Sequence, residues 1–306
     1  MNTFSDALPE TAPDSPPNTT MPLSRLVYWS VLRELWENRS IYVAPLVVVP
    51  VALFGFMVST IGMPARRRAL LALDPAQQRA TIAIPYDAVA MVFIVTAFLV
   101  GAFYCLDALH AERRDRSILF WKSLPVSDLT TILCKAGIPM VVLPAILFPI
   151  VVMTQFLMML MTTAVLLPSG LAGTTWTRFN LFEQSLILLY GLVTLVLWHA
   201  PVYGWLLMVS AWARRATLLW AVLPFIAVSI FERIAFGTSR FAAMLSYRIA
   251  GHMSVAFEVK PKGTLDRLAQ LTPGRFLTTP GLWIGLVFAA IFLAATVRLR
   301  RDREPI

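Results

Sequence analysis

Six long apolar runs, each sufficient to cross a lipid bilayer as a helix, dominate this 306-residue chain. They lie at roughly 41–61, 88–109, 136–167, 184–211, 217–236 and 281–297. A hydrocarbon core about 30 Å thick takes about 20 apolar residues in helical form. A helix satisfies its own backbone there, as a single open strand cannot, and none of the runs alternates apolar with polar residues in the manner of a barrel strand. The third run is too long for one simple span and holds Pro139, Pro144 and Pro149, which predict breaks; the fourth contains Pro201. Composition agrees with a membrane chain. Apolar residues make up 58%, charged residues 14%, and the mean hydropathy is +0.71, where soluble domains are about 25% charged. The expected fold class is therefore all-α, a polytopic helix bundle with six transmembrane helices and an N-terminal amphipathic helix at the membrane interface.

Residues 1–20 hold Pro9, Pro13, Pro16 and Pro17 with acidic and small polar residues between them. They lack the basic start and apolar run of a secretory signal, and read as a disordered tail. Residues 21–40 carry Leu26, Trp29, Leu32 and Trp36 at about helical spacing, with Arg25, Arg33, Glu34 and Glu37 between them. Such a helix lies in the membrane interface, with Trp29, Arg33 and Trp36 as its anchors. Residues 41–297 form the membrane domain, and 298–306 a basic tail. The net charge of +9 suits anionic lipid headgroups better than nucleic acid, because every basic stretch has apolar flanks. Arg113, Arg114, Arg116, Arg214, Arg215, Arg298, Arg300 and Arg301 flank span ends on one side, which puts both termini in the cytoplasm. Arg66, Arg67 and Arg68, on the other side, argue the opposite way. Cys105 and Cys134 show neither disulfide-framework nor metal-site spacing.

The loop after the second run carries the strongest local signal. Glu112, Arg113, Arg114 and Arg116 lead into Ile118, Leu119, Phe120, Trp121, Lys122, Ser123, Leu124 and Pro125, after which Ser127 or Asp128 can cap the next helix. An apolar cluster in so short a loop must bury against lipid, its own bundle or another protein. This loop resembles a segment of ABC-2 type transporter permeases: Glu112, Ser117, then Phe120 to Ser127, then Lys135. The stretch from Arg33 to Ser40 is similar to the start of such permeases. With the six-helix layout, the resemblance spans nearly the whole chain. It implies the transmembrane subunit of a bacterial inner-membrane ABC exporter, pairing with an identical or related chain. It also implies a separate ATPase subunit that binds ATP and Mg. Phe120, Trp121, Leu124 and Pro125 would then fill a groove on that ATPase, with Lys122 beside them and Glu112, Arg113 and Arg116 as rim charges. The acidic, Pro-rich tail and the three prolines of the third run depart from the pattern, so the cargo stays open beyond an amphipathic or hydrophobic class.

Missing motifs narrow the chemistry. No Gly-x-x-x-x-Gly-Lys-[Ser/Thr] phosphate cradle occurs, and neither His-Glu-x-x-His nor Gly-x-Ser-x-Gly is present. The chain is expected not to be an enzyme and to hold no cofactor or metal. Thr96, Tyr104, Gln155 and His199 are the polar residues within the runs that could line a cargo path, although a hydrogen-bonded structural role suits His199 better. Glu232 is expected to pair with a neighbouring Arg. The competing reading of the whole chain is a non-transport membrane scaffold or signalling protein.

Overall fold

The computed structural model describes residues 22–115, 127–258 and 268–302. Among them there is no strand, only one isolated bridge between Phe257 and Leu271. The chain folds as an all-α bundle with six helices long and apolar enough to cross a membrane. A short helix, α1 (Leu23–Glu37), precedes the first of these, α2 (Ser40–Ser59). After α3 (Met63–Leu71), the second crossing runs through α4 (Pro75–Asp107) into α5 (His110–Arg114). The third comprises α6 (Asp128–Gly137), a π-helical turn (Ile138–Val142) and α7 (Leu143–Leu166). Short α8 (Gly173–Arg178) leads to the fourth, α9 (Leu181–Trp212), and the fifth, α10 (Thr217–Phe236). Then come α11 (Arg240–Ala250), α12 (His252–Ala256), α13 (Pro273–Thr278) and the sixth crossing, α14 (Pro280–Asp302).

Three boundaries differ from those expected. The second crossing starts 13 residues early, because the Asp74 carboxylate accepts from the Ala76 amide at 2.9 Å and Pro75 occupies the first turn. The third is not broken by its prolines. The π turn absorbs Pro139, which lacks the N–H an α-helical ladder would use, and Pro144 sits in the first turn of α7. The sixth continues past Val297 to Asp302, so Arg298, Arg300 and Arg301 belong to a helix and not to a tail.

The core follows from small residues that let helices approach closely. A Cβ on Gly204 of α9 would meet the Ala289 carbonyl of α14 at 3.3 Å, and one on Gly101 of α4 would meet Pro139 and Tyr203 at 3.2 Å. Large apolar side chains then fill the centre, among them Phe93, Leu147, Val151, Leu192 and Leu207. By contrast α10 is peripheral. Ala221 is its one buried residue, and Ile230, Phe231, Ile234 and Phe236 all face outward. Outward apolar faces on spanning helices are what a lipid solvent requires.

Candidate functional site

The largest concentration of chemistry lies at the end of the bundle where α1, α5, the start of α6 and the end of α14 meet. Three carboxylates and three cations interlock there. Lys135 Nζ donates to Glu34 at 2.7 Å and lies 3.1 Å from Glu112. Arg300 donates through Nη1 to Glu112 at 2.7 Å and through Nε to Asp128 at 2.9 Å. Arg33 reaches Glu34 at 2.9 Å and Glu112 at 3.4 Å. The Tyr104 hydroxyl donates to the second oxygen of Glu34 at 2.8 Å. Glu34 and Lys135 are each 2% exposed, Arg300 4% and Glu112 7%.

Helical geometry places these groups. On α1, Val31, Glu34 and Leu35 turn toward the bundle, while Tyr28, Trp29 and Trp36 face outward. Trp29 and Trp36 are thus free to meet a membrane interface, and Arg33 joins the charge cluster. On α6, the Ser127 hydroxyl accepts from the Thr130 amide and starts the helix that buries Lys135 two turns on. On α5, Arg113 donates to the carbonyls of Ala211 at 2.8 Å and Ala213 at 3.4 Å, where a cation satisfies the end of α9. The Ser210 hydroxyl accepts from the Leu109 and His110 amides at 3.0 Å each, fastening α5 to α9.

Electrostatics fit a paired cluster. Burial alone would push the Glu34 carboxyl up. The Lys135 ammonium, with Arg33 and the Tyr104 hydroxyl, outweighs that and holds it below the usual carboxylate range. Because every carboxylate is ion-paired, the cluster offers no free base or nucleophile. Among the described residues no group of three or more His, Cys, Asp or Glu could hold a metal. What the arrangement can do is mechanical: Arg300 joins Glu112, before segment 116–126, to Asp128 after it, and Lys135 of α6 adds a second tie to Glu112.

The sequence-derived residues scatter relative to this cluster. Glu112 and Arg113, expected as exposed rim charges, are buried at 7% and 4% exposure. Their partners on α14, α6 and α9 draw them inward. Arg116, Phe120, Trp121, Lys122, Leu124 and Pro125 lie outside the described residues. Of the four cargo-path candidates, Tyr104 belongs to the charge cluster. Thr96 bonds back to the Val92 carbonyl of its own helix, and Gln155 donates to the Tyr86 carbonyl at 3.3 Å. His199 lies within 2.9 Å of the Leu195 carbonyl and 3.0 Å of the Ile249 carbonyl. Among the described residues Glu232 pairs with no Arg side chain; it accepts from the Arg240 and Phe241 amides at 2.8 Å each and so caps α11.

At the opposite end, α11 and α12 fold over α9. Trp198 donates to the Arg248 carbonyl at 2.8 Å, and the Arg248 guanidinium lies 4.8 Å from the Trp198 ring centre. Burial pushes His252 down to about 4, helped by His199 next to it.

Compared with known proteins, the chain matches no family model, no curated protein and no solved structure.

Proposed function

We propose that this chain is the membrane-spanning subunit of an ATP-driven exporter, acting as a pair of chains with a separate ATPase. The observation that carries the reading is the double grip of Arg300. Glu112 opens the loop 112–127, which resembles a coupling loop, Asp128 follows it, and one guanidinium from the last helix holds both carboxylates. Lys135 links the same Glu112 to Glu34 on the outer helix α1. A push on this loop therefore reaches α1, α6, α9 and α14 together, as a two-state bundle driven by nucleotide would need.

Both termini are cytoplasmic in this reading. Arg113, Arg114, Arg214, Arg215, Arg298, Arg300 and Arg301 lie toward the end of the bundle that carries the cluster. Within the contrary run, Arg66 to Arg68, Arg66 has a local role: it donates to the Ser59 and Ile61 carbonyls at the end of α2. ATP and Mg are held by the partner, and the outward faces of α2 and α10 are left for lipid or a second copy.

The test is to co-express the full chain with each ATP-binding-cassette ATPase of its own genome and purify from membranes. The expected result is one stable complex with vanadate-sensitive ATPase activity, which Trp121→Ala dissociates or uncouples and Arg116→Ala weakens less. Truncating a buried aromatic anchor costs about 2 kcal/mol or more, and a rim charge less. No ATPase partner for a correctly inserted chain would contradict the proposal.

A further inference from the structure

Another buried cation sits at the far end of the bundle, and it is not balanced. Arg67 of α3 is 7% exposed. Its Nη2 donates to the Thr175 hydroxyl at 3.2 Å, and its Nη1 is buried with no hydrogen-bond partner. Among the described residues no carboxylate pairs with it. Burial pulls the guanidinium below its ordinary value, offset only by the neighbouring Tyr86. Tyr86 is 2% exposed, and its buried hydroxyl makes no hydrogen bond among the described residues. Two unsatisfied polar groups this close are costly unless something completes them.

Both groups line the same cleft of about 270 Å³ between α2, α3, α4 and α7. Its other walls are largely apolar, formed by Phe56, Met63, Leu70 and Ile82, while Thr162 adds a hydroxyl. Gly62, at a φ of +71°, makes the turn that folds α3 back and brings Arg67 there. The Arg66 guanidinium is occupied by the carbonyls that end α2, so the unmet donors are those of Arg67 and Tyr86.

We propose that this cleft binds an amphiphilic anion: a phosphate or carboxylate headgroup accepting from Arg67 Nη1 and Tyr86 Oη, with an apolar chain along Phe56, Met63 and Ile82. A charged headgroup supplies the missing counter-charge, and the apolar walls exclude a small hydrophilic ion as the preferred occupant. Its source is either an anionic lipid of the bilayer or a free amphiphile. The site does not depend on the exporter reading.

The experiment uses the full chain in a neutral maltoside detergent, followed by native mass spectrometry. The probes are dioleoylphosphatidylglycerol, dioleoylphosphatidylcholine, oleate and inorganic phosphate. Wild type should retain one phosphatidylglycerol or take up one oleate, and should prefer either to phosphatidylcholine and phosphate. Arg67→Gln should weaken that binding about tenfold or more, as loss of a charge-assisted contact does. Arg67→Lys should keep part of it, and Arg79→Gln, an exposed cation at the same end, should leave it unchanged. Phospholipid retained straight from membranes by wild type and lost in Arg67→Gln assigns the source to the bilayer; uptake of oleate by lipid-free protein assigns it to free amphiphiles. Lipid-free Arg67→Gln should melt no lower than wild type, because it removes an uncompensated charge. Equal binding by wild type and Arg67→Gln would overturn the proposal, as would phosphate binding as tightly as the amphiphiles. So would a lipid-free dimer that Arg67→Gln splits, since the counter-charge would then come from a second copy.

Discussion

Arg300 and Arg67 are buried almost equally, at 4% and 7% exposure, and yet they sit in opposite circumstances. Arg300 meets two carboxylates from two elements; Arg67 meets one threonine hydroxyl. The first end of the bundle is electrostatically complete and the second is not. A completed buried cluster fixes the relative placement of the helices that supply it, whereas an unpaired buried cation attracts an anion. One end therefore reads as a mechanical joint, and the other as a place for a ligand.

The comparison breaks most visibly at Lys135. Lys135→Met removes the more deeply buried of the two cations that Glu34 and Glu112 share, leaving Arg33 as the other, and breaking a buried pair costs about 3–5 kcal/mol. A large fall in the melting temperature of the detergent-solubilised chain is expected, against none for Arg67→Gln. Equal melting of the two variants would erase the distinction between the ends.

Acid sharpens it at intermediate size. Since the Glu34 carboxyl is held below its ordinary value of 4.5 by Lys135, Arg33 and Tyr104 against its own burial, the unfolded chain takes up the proton first. The stabilisation from Glu34 is thus present above about pH 4.5 and is lost as the pH falls through the folded value. Melting temperature should drop over that acid range in wild type, and the Glu34 contribution should vanish in Glu34→Gln. His252 adds a separate loss at higher pH. Its folded value of about 4 lies below the ordinary 6.5, so stability declines as the pH falls from about 6.5 toward 4. His252→Phe should flatten that part of the profile and leave the lower part standing.

How much of this the sequence carried differs between the same two regions. Apolar length alone placed all six crossings, and the fifth, Thr217–Phe236, coincides with its helix. The ends were harder. Arg300 read as part of a basic tail because hydropathy falls at Val297, while helical propensity does not. Glu112 and Arg113 read as surface charges because most of their partners are 79 to 188 residues away in sequence, and no local pattern encodes such a pairing. A signal existed nonetheless in Lys135, a lone ammonium between Cys134 and Ala136 at the start of an apolar run. A cation there calls for a buried partner, and Glu34, on the bundle-facing side of an amphipathic helix beside Val31 and Leu35, was the matching anion. Arg67 was legible only as one of three consecutive arginines; nothing in that run marks which of them turns inward.

The central claim is that Arg300 holds both flanks of segment 116–126. Hydrogen-exchange mass spectrometry on Arg300→Met, compared with wild type in the same detergent, tests it most directly. The account predicts faster exchange in peptides from α5 and from the first turns of α6, on the two sides of the segment, with peptides from α3 and the start of α4 unchanged. Unaltered exchange on both flanks, in a variant that is folded and inserted, would contradict it.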